Sequence, residues 1–184
     1  MSENRVDPTV AGLFLVGLIT LFFGLLGVLT YADNDMGGEL LGYLGGVLTA
    51  FALVFVLFAF LAAKVGNAFA TALFAFVAIA LYSVVPALNY GAVAGGSFIA
   101  FLILGVFFIV FALVAFLIGA PKLLAILLVL TALIYIFVGT FVNAVNGGND
   151  TETFALLFGI FGILAGAVAT YMAVALSTEK LPVF

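Results

Sequence analysis

The groups able to do chemistry in this chain are hydroxyls and amides, spaced three and four residues apart along apolar stretches. One stretch carries Thr131, Tyr135, Gly139 and Asn143. Residues at this spacing share one face of a helix. Three hydrogen-bonding groups on one face could line a narrow hydrated path, and they could equally bond across a packed helix contact. Spacing alone leaves both interpretations open.

Small and neutral polar residues form similar stripes in other apolar stretches. These are Gly17, Thr20, Gly24, Gly27 and Tyr31; Gly42, Gly46 and Thr49; Asn67, Thr71, Ala75, Ala78 and Tyr82; and Gly159, Gly162, Gly166, Ala169 and Ala173. Small residues let helices approach closely in lipid. We therefore predict that the glycine pairs Gly42/Gly46 and Gly162/Gly166 serve packing.

The sequence argues against catalysis. It contains no histidine and no cysteine, which excludes a Ser-His-Asp triad, a thiolate nucleophile and a Cys/His zinc site. The apolar stretches also lack Asp, Glu, Lys and Arg, so no acid-base pair or proton relay can form inside them. We expect no enzyme activity, no metal and no cofactor.

Composition indicates an integral membrane protein. Of the 184 residues, 68% are hydrophobic and 7% are charged, whereas a soluble domain carries about 25% charged residues. Lipid is the solvent that removes the need for a polar shell. The four basic residues are scattered, so we expect no nucleic-acid partner.

Six apolar runs approach the roughly 20 residues needed to cross a bilayer as a helix. They cover about 10–31, 40–63, 68–85, 98–118, 123–145 and 154–176. The runs lack the alternation of a membrane β-barrel. The prediction is an all-α membrane protein, a bundle of six transmembrane helices forming one domain over 1–184. The first run exceeds a secretory h-region and follows Asp7-Pro8, so we expect it to be retained.

The basic residues predict the orientation. Arg5, Lys64, Lys122 and Lys180 lie in the tails and in the second and fourth breaks, all on one side of a six-span chain. The positive-inside bias then places both termini in the cytoplasm of a multi-pass cell-membrane protein.

Local residues predict how two helices begin. Asp7-Pro8 is a cap and first-turn pair for the first helix. In "KVGN", Gly66 permits a tight turn and Asn67 caps the third helix. The fourth run, "FIAFLILGVFFIVFALVAFLI", has no polar side chain, so we predict that it faces lipid or a neighbouring subunit.

Three motifs make the chain resemble the acetate uptake transporter family, the succinate–acetate permeases. "DPTVAGL" resembles the family's Asn-Pro-Ala-Pro-Leu-Gly-Leu, although Asp7 and Val10 depart from it. "GNAFATALF" resembles Gly-Asn-Thr-Phe with a later Ala-Phe, and "GAVATYMA" with "KLPVF" resembles the terminal motif. The matching residues are Pro8, Gly12, Leu13, Gly66, Asn67, Phe69, Phe74, Gly166, Ala167, Ala169, Tyr171, Ala173, Leu181 and Pro182.

The resemblance implies a pore through each protomer, a ring-shaped homohexamer and passage of acetate with a proton. Family members narrow the pore with Phe, Tyr and Leu from helices one, three and five; the positions here are Val16, Val77 and Leu130. Only Leu130 matches. The family's Gln and Glu in helix two are missing from "FALVFVLFAFLAAK". The candidates to line the pore or bind substrate are Thr20, Asn67, Thr71, Thr131, Tyr135 and Tyr171.

The function that we expect is a channel or transporter for acetate and similar small monocarboxylates. The neutral acid, or the anion with a proton by symport, would pass, because an uncharged apolar neck penalises the anion by several kcal/mol. One alternative is a channel for small neutral solutes such as urea. Another is a non-conducting structural subunit of a membrane complex.

Overall fold

The computed structural model describes residues 8–32, 34–89, 94–147, 151–178 and 182, without the side chains of 34–45, 85–89, 94–97 and 146. Six helices occupy these residues and no described residue is in a strand. The helices are α1 (Pro8–Ala32), α2 (Asn34–Lys64), α3 (Ala68–Asn89), α4 (Ala94–Leu117), α5 (Lys122–Gly147) and α6 (Glu152–Thr178). The all-helical prediction is confirmed, and each predicted run lies within one helix except for Ile118.

Five helices have described stretches long and apolar enough to cross a membrane. In α3 the described apolar stretch is shorter, Ala68–Val84. The chain is a multi-pass membrane protein. Pro8 begins α1 as predicted, while the predicted cap Asp7, the motif residue Leu181 and the basic residues Arg5 and Lys180 lie outside the described residues.

The turn after α2 closes the helix end with glycine, as predicted for "KVGN". Gly66 has φ 78°, a left-handed conformation that costs glycine little. The Gly66 amide donates to Ala63 O (3.1 Å) and the Asn67 amide to Ala62 O (3.0 Å). These are the two bonds of a Schellman motif, which satisfies the last helical carbonyls. Asn67 Oδ1 then accepts the Ala70 amide at 3.0 Å, capping α3.

The turn after α4 has the same construction. Gly119 has φ 70°, and its amide donates to Phe116 O while the Ala120 amide donates to Ala115 O. Pro121 then precedes α5, where a missing amide proton costs no helical hydrogen bond. Two hairpins, α2–α3 and α4–α5, therefore share one turn geometry.

Helix α1 packs most extensively on α6, through the predicted glycines. A Cβ at Gly162 would lie 2.5 Å from the Gly24 nitrogen, and one at Gly27 would lie 2.6 Å from Ala155 O. The motif residue Gly166 faces Leu21 with no room for a side chain. The backbones are thus in contact. Gly46 differs, because nothing of the described chain lies within 4 Å of its Cβ position.

Helices α3 and α4 hardly approach each other as backbones, and phenylalanines fill the seam between them. The Phe76 ring lies 5.1 Å from Phe108 and 5.4 Å from both Phe107 and Phe111. The motif residue Phe69 contacts Phe111 at 6.1 Å. Between α3 and α4 the bundle is therefore closed by aromatic side chains and not by close approach of the two helix backbones.

The prediction that the fourth helix faces lipid or a neighbouring subunit is wrong for one of its faces. Phe101 and Phe108 of α4 are each 2% exposed and face the interior of the bundle. The outward face carries exposed Ile103, Val106 and Val110. An all-apolar sequence does not distinguish the inward face of α4 from its outward face, because lipid and a protein core both accept hydrocarbon side chains.

Candidate functional site

A cavity of about 60 Å³ lies inside the bundle. It has room for a few water molecules, or for a guest of two carbons and two oxygens. Odd-numbered helices supply most of its wall: Leu13, Val16, Ile19, Thr20 and Phe23 from α1; Leu73, Phe74, Val77, Leu81 and Val84 from α3; and Leu124, Leu127, Leu128, Thr131, Ile134, Tyr135 and Val138 from α5. Helix α2 adds Phe55, and α4 adds Phe101 and Phe108.

Three of the lining residues, Thr20, Thr131 and Tyr135, carry a hydroxyl in an otherwise hydrocarbon wall. Thr20 Oγ1 donates to Val16 O at 2.8 Å, and Thr131 Oγ1 donates to Leu127 O at 2.8 Å. Each threonine donates its hydroxyl proton to a backbone carbonyl of its own helix. Its oxygen can therefore only accept a hydrogen bond from a guest. Tyr135 stacks on Phe108 with ring centroids 5.2 Å apart, and its hydroxyl makes no hydrogen bond to the described residues.

The wall of the cavity therefore has a defined hydrogen-bonding character. Two threonine oxygens can accept, and the Tyr135 hydroxyl can donate or accept. Among the described residues, no charged side chain lines the cavity. A neutral guest with one donor and one acceptor matches such a wall, while a charged guest would lose its hydration without a counter-ion.

Two motif residues meet beside the cavity. The Phe74 ring covers Gly12, leaving no space for a Cβ there. The ring centroids of Phe55 and Phe58 lie 5.9 and 6.0 Å from that of Phe74. The glycine of the first motif thus admits the aromatic ring of the second, and Phe74 forms part of the wall.

The structure brings together some of the predicted site residues. Val16 and Val77 lie on the wall with Thr20, Thr131, Tyr135 and the motif residue Leu13. Leu130 does not lie on the wall, and its neighbours Leu127, Leu128 and Thr131 do. Position 130 is turned about 100° from the centre of the lining face of α5, because each helical residue advances by about 100°.

Three other candidates lie away from the cavity. Asn67 is exposed and caps α3, and Thr71 Oγ1 donates to Asn67 O at 2.8 Å. Tyr171 is 37% exposed on α6. Its hydroxyl donates to Pro182 O at 3.0 Å, which joins the two parts of the terminal motif.

Sequence reasoning missed the phenylalanines of the wall. Phe55, Phe101 and Phe108 are almost fully buried and line the cavity. Their spacing, with 101 and 108 seven residues apart, indicates a shared helix face but not whether that face meets lipid or a lumen. Within the described residues, no group of His, Cys, Asp or Glu could hold a metal ion.

Fold and site define a class: a multi-pass helical membrane protein whose bundle encloses an uncharged cavity. The sequence matches no protein-family model, and no curated protein matches it. The fold is similar to that of a solved structure, the bacterial acetate channel SatP, with a TM-score of 0.75. The similarity covers 97% of this chain and 99% of that chain at 17% sequence identity. The fold implied by the resemblance to acetate transporters is confirmed.

Proposed function

We propose that this chain is a membrane channel or transporter for acetate and similar small monocarboxylates, which pass through the cavity of each protomer. The observation that carries the proposal is the uncharged wall with its three hydroxyls. The fold shared with a bacterial acetate channel is a second support.

The passing species is the neutral acid. A small carboxylic acid resembles a Glu side chain with a pKa of about 4.3, so protonating it at pH 7 costs about 4 kcal/mol. Moving the bare anion into a hydrocarbon-lined cavity costs far more, since an unpaired carboxylate loses tens of kcal/mol of solvation in an apolar medium. Protonation is therefore the cheaper route, and net passage is electroneutral, equivalent to symport of acetate with a proton.

The hydroxyls favour the same species. The O–H of acetic acid can donate to Thr20 or Thr131, whose oxygens are free to accept. The acid's carbonyl can accept from Tyr135. The acetate anion has no proton to donate, so it would face two acceptors with lone pairs of its own.

Val16 of α1 and Val77 of α3, which both line the cavity, narrow the path in this proposal. Helix α6 contributes no residue to the described wall and supports α1 from behind. Assembly as a homohexamer remains part of the proposal, on the family resemblance. Each protomer has its own cavity, so conduction does not require a path between subunits.

Flux into proteoliposomes tests the function. We expect uptake of labelled acetate to follow an imposed pH gradient and to ignore an imposed voltage. Val16→Trp should block uptake by filling the neck. Leu18→Trp is the matched control on the same helix, because Leu18 is 56% exposed on the outer face. Leu130→Trp should retain flux, since Leu130 does not line the cavity.

Three results would contradict the proposal. Voltage-driven acetate uptake would mean that the anion passes. Swelling that is faster in urea than in acetic acid would favour the neutral-solute channel. No flux of either solute in liposomes that contain folded protein would favour a structural subunit.

A further inference from the structure

A groove of about 410 Å³ lies on the outer surface of the bundle between α2 and α3. Small residues form its floor, among them Ala52, Ala59, Ala75 and Ala78. Exposed Leu53 and Ile79 form part of its sides. The groove is separate from the interior cavity, because none of its described lining residues is shared with that wall.

The described part of the groove lies along α2 within one leaflet of a bilayer. Its described α2 residues run from Ala59 to Thr49, which lie about 8 and 22 Å along the helix from Lys64 at a rise of 1.5 Å per residue. Half of a bilayer with its headgroups is about 20–22 Å thick. A fatty acyl chain whose headgroup lies beside Lys64 therefore reaches along the groove.

Lys64 supplies a charge at the headgroup level. Its ammonium lies 4.6 Å from the centre of the exposed Phe60 ring. Leu53, Phe60 and Lys64 are spaced by seven and four residues, so the lysine and a side of the groove share a face of α2. The N-terminus of α3 begins at the adjacent turn, and helix N-termini also favour anions.

We propose that the α2–α3 groove and Lys64 bind one anionic phospholipid per protomer, with an acyl chain in the groove and the phosphate beside Lys64. A helix from a second copy is a poorer fit, because the exposed Lys64 ammonium at the headgroup level favours an anionic partner. The proposal stands independently of whether the cavity conducts.

Native mass spectrometry of the detergent-purified full chain tests this site. The protein is titrated with phosphatidylglycerol or phosphatidylcholine carrying identical acyl chains, and bound lipids are counted per protomer. We expect one phosphatidylglycerol site that is about fivefold tighter than for phosphatidylcholine, the effect of one basic residue near an anionic headgroup. Lys64→Gln should make the two lipids equal.

Lys122→Gln is the matched control. Lys122 is exposed beside the equivalent turn between α4 and α5, but further along these helices Gly105 and Gly139 bring α4 and α5 into close contact. Its replacement should preserve the lipid preference. Ala75→Leu should fill the groove and weaken both lipids, and Ile79→Ala, at an exposed position, should weaken both by lowering one side.

Equal effects of Lys64→Gln and Lys122→Gln would overturn the proposal. So would unchanged lipid binding in both groove variants. A change in the number of associated protomers in Ala75→Leu, with lipid binding intact, would show that the groove is a contact between copies instead.

Discussion

At the scale of single residues, Tyr135 combines packing with an available polar group. Its ring is held between Phe108 and Phe101, at centroid distances of 5.2 and 6.3 Å. The threonines of the cavity have already donated their protons to backbone carbonyls. Tyr135 is therefore the lining residue best able to donate to a guest.

Tyr135→Phe separates these two roles. The ring contacts remain, while one hydrogen bond to the guest is lost, worth about 1 kcal/mol or roughly fivefold in rate. We expect acetate uptake in proteoliposomes to fall by about that factor, with thermal stability close to wild type. Tyr82→Phe, on an exposed tyrosine of α3, should leave uptake unchanged. Equal uptake by the two variants would show that the Tyr135 hydroxyl does not bind the passing acid.

At the scale of elements, the contact between α1 and α6 depends on missing side chains. Gly24 and Gly162 bring the two backbones together, while nothing described lies within 4 Å of the Cβ position of Gly46 on α2. Without a hydrophobic driving force between helices in lipid, close packing is what holds such a pair. Glycine is thus required for helix packing at positions 24 and 162, but not at position 46.

Gly162→Ala and Gly46→Ala provide a matched pair. The added methyl at 162 would lie 2.5 Å from backbone, so overpacking should destabilise the bundle by about 1–3 kcal/mol. At 46 the methyl meets nothing described within 4 Å, and replacing a helical glycine should be neutral or stabilising by about 0.5–1 kcal/mol. Thermal unfolding in detergent measures both. Equal melting temperatures would contradict the packing role.

At the scale of the whole molecule, three close helix pairs surround the cavity: α1 with α6, α2 with α3, and α4 with α5. One helix of each pair, α1, α3 or α5, carries most of the wall. The two Schellman turns place Lys64 and Lys122 at the end of α2 and the start of α5. When successive helices cross the membrane in opposite directions, the end of α2 and the start of α5 lie on the same side of the membrane.

Single cysteines test this orientation, and the chain's lack of cysteine provides the background. Lys64→Cys and Lys122→Cys should react with a membrane-impermeant maleimide only from the cytoplasmic side, because basic loops stay there. Gly147→Cys, at the other end of α5, should react only from outside. Labelling of Lys64→Cys and Lys122→Cys from opposite sides would contradict the predicted topology.

The sequence by itself determined the class, the helices and the turns. Apolar runs long enough to cross the membrane must form helices, because in lipid the backbone N–H and C=O groups can form hydrogen bonds only within the segment. Gly66 and Asn67 predicted a turn and a cap from local conformational preferences alone, and Gly162 with Gly166 predicted close packing. These features depend on residues near in sequence or on small size, so they are readable without the fold.

Only the tertiary structure decided which apolar faces enclose the cavity. Phe101 and Phe108 face inward while Ile103 and Val106, a few residues away, face outward. In a soluble protein polarity would distinguish these faces, but a bilayer accepts the same side chains as a core does. The resemblance placed Leu130 at the neck, and the stripe pattern left Thr131 open between a lumen and a packed contact; only helix packing assigned Thr131 and not Leu130 to the wall.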